Sequence, residues 1–171
     1  LQFLAALHGF TLDQMYEARR LLEVGAASLA AEHATGERLA AMADEITGMF
    51  ATLEEPQIFL GHDLGFHRAV AAGSGNPIVA AIIGTLTEII WETGRINMSG
   101  FSLRESAETH RRIYEAIRSR SPERARREMK EHLEHAHWEQ VKKETAGEAQ
   151  PSSEGRPAHH AIAQGEGGGV S

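Results

Sequence analysis

Apolar residues along most of this chain recur at spacings of three and four, and runs of alternating Val, Ile, Thr and aromatic residues are missing, so the pattern predicts helices and no strands. Thr11-Leu12-Asp13-Gln14 reads as a capping box, with Phe10 placed to staple onto Met15, and opens a helix from about residue 12 to about 34. Thr35 can cap a second over about 36 to 54. Pro56 suits the first turn of a third, which ends at the Gly73-Ser74-Gly75-Asn76 break. Asn76-Pro77 starts a fourth, whose Ile78, Val79, Ile82, Ile83, Leu86, Ile89 and Ile90 spread over a wide arc and predict the most buried, central helix of the set. Ser102-Leu103-Arg104-Glu105 is a second capping box, opening a fifth helix to about 119, and Ser121-Pro122 opens a sixth to about 144. The expected fold class is all-α, an antiparallel bundle of about six helices.

Composition sets the limits of that bundle. A chain of 171 residues holds one domain with a real core. From Ala146 onward the sequence is rich in Gly, Ser and Pro and poor in apolar residues, which predicts a helical domain over 1–145 and a disordered tail over 146–171. His159 and His160 in that tail are read as incidental. A formal charge of −7 argues against nonspecific attraction to a phosphate backbone. No stretch approaches the roughly 20 apolar residues of a membrane span. The absence of Cys excludes disulfides and thiolate metal sites, fits a cytoplasmic location, and leaves ten His as the available soft donors.

Four polar positions break the amphipathic pattern. On the third helix Phe59, Asp63, Phe66 and Val70 follow the core spacing, and His67 lies one turn after Asp63. On the fifth, His110 stands in the stripe of Leu103, Ala107, Ile113 and Ile117; on the sixth, His132 stands among Ala125, Met129, Leu133 and Ala136. His135 falls about 60° further round the wheel at about 100° per residue, and His137 points well away. A buried carboxylate without a partner costs several kcal/mol, so Asp63 on a core stripe implies a cation nearby. One carboxylate and three imidazoles suit a divalent first-row ion, Zn first, with Ni, Mn or Fe as alternatives, and leave room for a further ligand. The competing reading makes each His a core residue bonded to a carbonyl, and helix facing alone leaves both open.

The first helix carries one more anomaly. Leu12, Met15, Arg19, Leu22, Ala26 and Leu29 mark its core side, placing a guanidinium where an aliphatic residue would be routine. Arg19 either pairs with an acid such as Glu23 or snorkels outward along its own stem, or else presents its planar fork to the carboxylate of a small organic acid. Trp91 and Tyr114 read as core packing, with the Tyr114 hydroxyl available to a pocket.

With these residues placed, the chain resembles the effector-binding domain of the FadR branch of GntR-type bacterial transcription regulators, the all-helical FCD module, over about residues 8–142. "HGFTLDQMYEARRLLE" is similar to the module's opening helix, "HDLGFHRAVAAGSGNP" to its Asp-x-x-x-His helix and the break after it, and "THRRIYEAIRSRSPERARREMKEHL" to its two closing helices. The resemblance implies that Asp63, His67, His110 and His132 are the metal ligands. It also implies a homodimer, a small organic acid as effector held by the metal and Arg19, and DNA contact only through an N-terminal winged helix-turn-helix that would precede this module. The expectation is therefore a sensor and not an enzyme. Two alternatives are a metal-dependent hydrolase or oxygenase and a purely structural dimerisation bundle. The first needs a general base, for which only Glu88 and Glu92 offer themselves, and both read as surface acids.

Overall fold

Each helix begins where the chain supplies a local cap or a proline. In the computed structural model, which describes residues 9–94, 96, 98 and 102–148, the last three by backbone only, six helices follow one another. They are α1 (Leu12–His33), α2 (Gly36–Ala51), α3 (Pro56–Gly73), α4 (Pro77–Thr93), α5 (Leu103–Arg118) and α6 (Pro122–Glu148). The Thr11 hydroxyl accepts from the Gln14 amide at 3.2 Å while the Gln14 side chain accepts from the Thr11 amide at 2.9 Å, completing the capping box. Asn76 Oδ1 accepts from the Ile78 and Val79 amides at 3.0 and 3.3 Å, and Ser102 Oγ from the Glu105 amide at 3.2 Å. These bonds satisfy amides that the first turn of a helix leaves without a carbonyl.

The α5–α6 corner is made by Arg120, which adopts a left-handed conformation at φ 56°. Ser121 donates to the Ala116 carbonyl and Arg120 to the Ile117 carbonyl, both at 3.0 Å, the bond pair of a Schellman turn. The Arg120 guanidinium donates to the Ala31 and Ala34 carbonyls at 3.3 and 2.7 Å, so the corner also closes the C-terminal end of α1.

Packing follows from this connectivity. α1 lies along α6, α3 meets α1, α2 and α4, and α5 fits between α6 and α2 while touching α1 and α3. Phe59, Leu64, Phe66 and Val70 of α3, Ile113 and Ile117 of α5, and Met129 and Leu133 of α6 form one core with the alanine face of α1. Each large side chain so buried contributes about 1.5–3 kcal/mol. No helix among the described residues is long and apolar enough to cross a membrane.

Two expectations fail here. α4 is peripheral: it buries Ile83, Leu86, Ile89 and Ile90, but Ile78 is 69% exposed, Ile82 47% and Trp91 50%. Its apolar arc is wider than the surface that α3 and α1 cover, so Trp91 is not core either. The buried face of α1 is also turned relative to expectation. Leu22 and Leu29 are only half-buried, and Tyr16, Glu23, Ala27 and Ala30 take the interior, because small residues let α1 approach its neighbours closely. The segment from 149 onward, with His159 and His160, lies outside the described residues; α6 itself continues to Glu148, past the expected start of the tail.

Candidate metal centre

The helical repeat places Asp63 and His67 one turn apart on the inward face of α3, and α5 and α6 bring His110 and His132 against them. All four are buried, and one donor atom from each lies within 4.8 Å of the others. His67 Nε2 stands 3.2 Å from His132 Nε2, His110 Nε2 3.2 Å from Asp63 Oδ1, and His67 Nε2 3.8 Å from Asp63 Oδ2. The Phe66 ring meets His110 edge-on at 5.1 Å and closes that side with hydrocarbon.

The far nitrogens explain this orientation. His110 Nδ1 donates to the Ser106 carbonyl at 2.8 Å, one turn back on α5, which leaves its Nε2 with a lone pair facing the centre. That Nε2 is buried and lacks a hydrogen-bond partner, because its lone pair meets the acceptor oxygen of an ionised Asp63. His67 Nδ1 faces Glu23 Oε2 of α1 at 2.5 Å, within hydrogen-bond distance, although neither atom has a partner of regular hydrogen-bond geometry.

Electrostatics gives the cluster the ionisation a metal requires. Burial pushes Asp63 upward, but His110, His67 and His132 together hold it well below the usual carboxylate range. Burial lowers His67, against an opposing pull from Glu23, and burial together with His110 and His67 lowers His132 further. An ionised Asp63 beside His67 and His132 disposed to stay neutral matches the protonation state that ligates. His67 and His132 share one hydrogen bond between their Nε2 atoms, His110 Nε2 has an orphaned lone pair and Asp63 is anionic, a set of four donors that a shared divalent cation would engage together. The residues present fit such an ion.

A cavity of about 200 Å³ opens beside this centre. Tyr16, Arg19, Asp63 and His132 form its inner wall, Ser102, Ser106 and Thr109 add hydroxyls, and Ile96 and Met98 add apolar surface. Arg19 Nε donates to Glu23 Oε1 at 2.7 Å, both side chains being almost fully buried. The pairing with Glu23 is thus real, yet Nη2 of the same guanidinium is left with no partner. Burial opposes its charge, but Glu23 more than restores it, so Arg19 is held as a cation. In return Glu23, raised by burial, is drawn down to about 2 by Arg19 and His67.

The family model for the FCD domain matches residues 14–135 of this chain. The chain belongs to the FCD domain family. This FCD domain is 34% identical over 119 residues to the HTH-type transcriptional repressor NanR of Salmonella newport, covering 67% of the chain and 45% of that protein. It is 30% identical over 128 residues to the HTH-type transcriptional regulator LutR of Bacillus subtilis, covering 71% and 58%. The chain therefore spans about half the length of the curated relatives it matches. Among solved structures, Streptococcus agalactiae GntR superposes with a TM-score of 0.66 at 26% identity, covering 75% of this chain and 58% of that one. E. coli McbR/YncC superposes at 0.64 with 22% identity, covering 77% and 68%, a likeness of fold. The relatives are named as regulators and not as enzymes.

The remaining residues singled out in this FCD domain separate cleanly. Tyr114 packs half-buried against the core and does not line the cavity; its place there is taken by Tyr16, whose ring lies 5.5 Å beneath the Arg19 guanidinium carbon. Burial, assisted by Asp63 and Glu23 and opposed by Arg19, raises the Tyr16 hydroxyl to about 12, so it stays a donor. His135 touches the outer part of the cavity, while His137 pairs with Asp13 at 2.7 Å and stacks on Tyr16. Glu88 and Glu92 are exposed on α4 and do not line the cavity, so neither is placed as a general base. Tyr16 escaped the sequence reading and Glu23 entered it only as a partner for Arg19, although Tyr16, Arg19 and Glu23 share one face at i, i+3 and i+7. That polar stripe was the available signal.

Proposed function

We propose that this domain senses a small carboxylate through a divalent metal held by Asp63, His67, His110 and His132, and that occupancy of the site alters DNA binding by a winged helix-turn-helix joined to it. The observation that carries this reading is the unpartnered Arg19 Nη2 in a buried guanidinium that lines the cavity beside the four donors. An unpaired buried donor costs about 1–3 kcal/mol, a penalty that a carboxylate oxygen removes. When bound, the metal supplies positive charge that anchors a second carboxylate oxygen. Arg19 contributes its guanidinium and Tyr16 a protonated hydroxyl, while Ile96 and Met98 add apolar surface to the cavity. Zn is the first choice for three imidazoles and one carboxylate, with Ni, Mn or Fe the alternatives.

The names of the relatives support the regulatory half of the proposal; to it we add a homodimer working in the cytoplasm. The outward Ile78 and Ile82 of α4 offer apolar surface for such pairing. Calorimetric titration of acetate and citrate into Zn-loaded and EDTA-treated protein tests the sensor. Binding is expected with Zn and is expected to fall at least about tenfold after chelation or in Arg19→Lys, which keeps a charge for Glu23 but loses the fork. Equal affinity in all three samples would refute the proposal.

A further inference from the structure

We infer that Glu23 is a positioning residue shared by both halves of the site: one carboxylate oxygen sets the metal ligand His67, the other sets the anion-facing Arg19, and metal and anion binding are coupled through it. The inference rests on the metal-and-carboxylate reading above and extends it to the link between the two ligands.

Three observations carry it. First, the two oxygens face partners on opposite sides, Oε1 hydrogen-bonded to Arg19 Nε at 2.7 Å and Oε2 2.5 Å from His67 Nδ1, within reach of a proton on that nitrogen. Second, Glu23 is almost fully buried, so neither contact is exchanged with solvent. Third, Arg19 is engaged through Nε, and its Nη2 is left without a partner. A carboxylate holding the two terminal nitrogens would have covered the edge that an anion needs; held from behind through Nε, the guanidinium keeps Nη2 available.

On the other side, a carboxylate against Nδ1 selects the tautomer with hydrogen on Nδ1 and a lone pair on Nε2. That lone pair faces His132 Nε2 at 3.2 Å and Asp63 Oδ2 at 3.8 Å. A cation shared at His67 Nε2 withdraws density from the ring and makes Nδ1–H a stronger donor to Glu23. Glu23 then neutralises Arg19 less, and Arg19 holds an anion more tightly. By linkage the anion must strengthen metal binding by the same factor.

Glu23→Gln tests this because no orientation of the amide serves both partners. With its carbonyl toward Arg19, the amide N–H₂ meets His67 Nδ1 and drives the ring hydrogen to Nε2, removing the ligating lone pair; flipped, it abandons Arg19. Chelator competition measures the Zn dissociation constant, and calorimetry measures acetate affinity with and without Zn. The variant is expected to bind Zn about 10–100-fold more weakly and to lose part of the Zn-dependent gain in acetate affinity. A folded variant with an unchanged Zn constant overturns the inference, whatever its melting temperature. Long-range proton–nitrogen NMR on the metal-free native protein keeps the question decidable if the variant does not fold: His67 is expected as the Nδ1–H tautomer, and the Nε2–H tautomer overturns the inference. Native protein that takes up no Zn overturns the metal reading and this inference together, whereas native uptake with an indifferent variant overturns this inference alone.

Discussion

Replacing His110 by Ala removes a fully buried ring that touches two partners, Asp63 Oδ1 at 3.2 Å and the Ser106 carbonyl at 2.8 Å. Without metal, the cost combines a buried carboxylate deprived of its nearest imidazole with a void where the ring was, together about 2–4 kcal/mol. At about 2–4 °C per kcal/mol for a domain of this size, the melting temperature falls by roughly 5–15 °C. The metal-dependent part is separable. Native protein with free Zn at about 1,000 times its dissociation constant gains about 4 kcal/mol. A variant short of one ligand, binding about 100-fold more weakly, keeps only about 1.4 kcal/mol of that at the same Zn concentration. Scanning calorimetry of both proteins, with EDTA and with Zn, reads both quantities. The diagnostic result is the shrinkage of the Zn-induced rise, and not the lower baseline, which any core truncation would produce. A variant whose melting temperature rises with Zn as much as the native protein's would refute His110 as a ligand.

Acid should destabilise the metal-free protein. His67 and His132 are held below their ordinary value, chiefly by burial, so below about pH 6.5 the unfolded chain binds protons that the folded chain refuses, and stability falls as pH falls. A melting temperature of EDTA-treated protein that stays flat or rises between about pH 7.5 and pH 5.5 would contradict this sign. Gly73→Ala should destabilise by about 1–3 kcal/mol, because the new Cβ would stand 2.7 Å from the buried Met42 methyl, and this outweighs the helix-propensity gain of about 0.5–1 kcal/mol. Urea titration checks it, and a stabilised variant would show that the α2–α3 contact is looser than described. At the α5–α6 corner, Arg120→Ala and Arg120→Gly both lose the bonds to Ala31 and Ala34, but Gly also relieves the left-handed strain. The Gly variant should be the more stable of the two by about 1 kcal/mol, and the reverse order in chemical denaturation would discount the strain.

The helix starts were legible because caps act locally: Thr11, Asn76 and Ser102 bind amides two or three residues away, within reach of a sequence pattern. Asp63, His67, His110 and His132 were legible because each breaks an apolar stripe, and the structure does bring the four together. What failed depends on partners rather than periodicity. The isoleucines of α4 state what can be buried, not which neighbours arrive to bury it, and only one side of the helix is covered. Tyr114 is close to the Ile113–Ile117 stripe, but where the cavity opens relative to that stripe is decided by how α1 and α6 lean on α5. Glu23 looked like a surface partner for Arg19 because an i, i+4 ion pair is usually exposed; its second contact, to His67 forty-four positions away, is visible only in three dimensions.

The central claim is that three imidazoles and one carboxylate converge on a single cation. X-ray absorption at the metal edge, on untagged protein reconstituted with one equivalent of Zn, tests this most directly. The spectrum should show a nitrogen and oxygen shell with outer-shell scattering from about three imidazole rings, reduced by one ring in His132→Ala. A fully hydrated ion, or a shell without imidazole scattering, would contradict it.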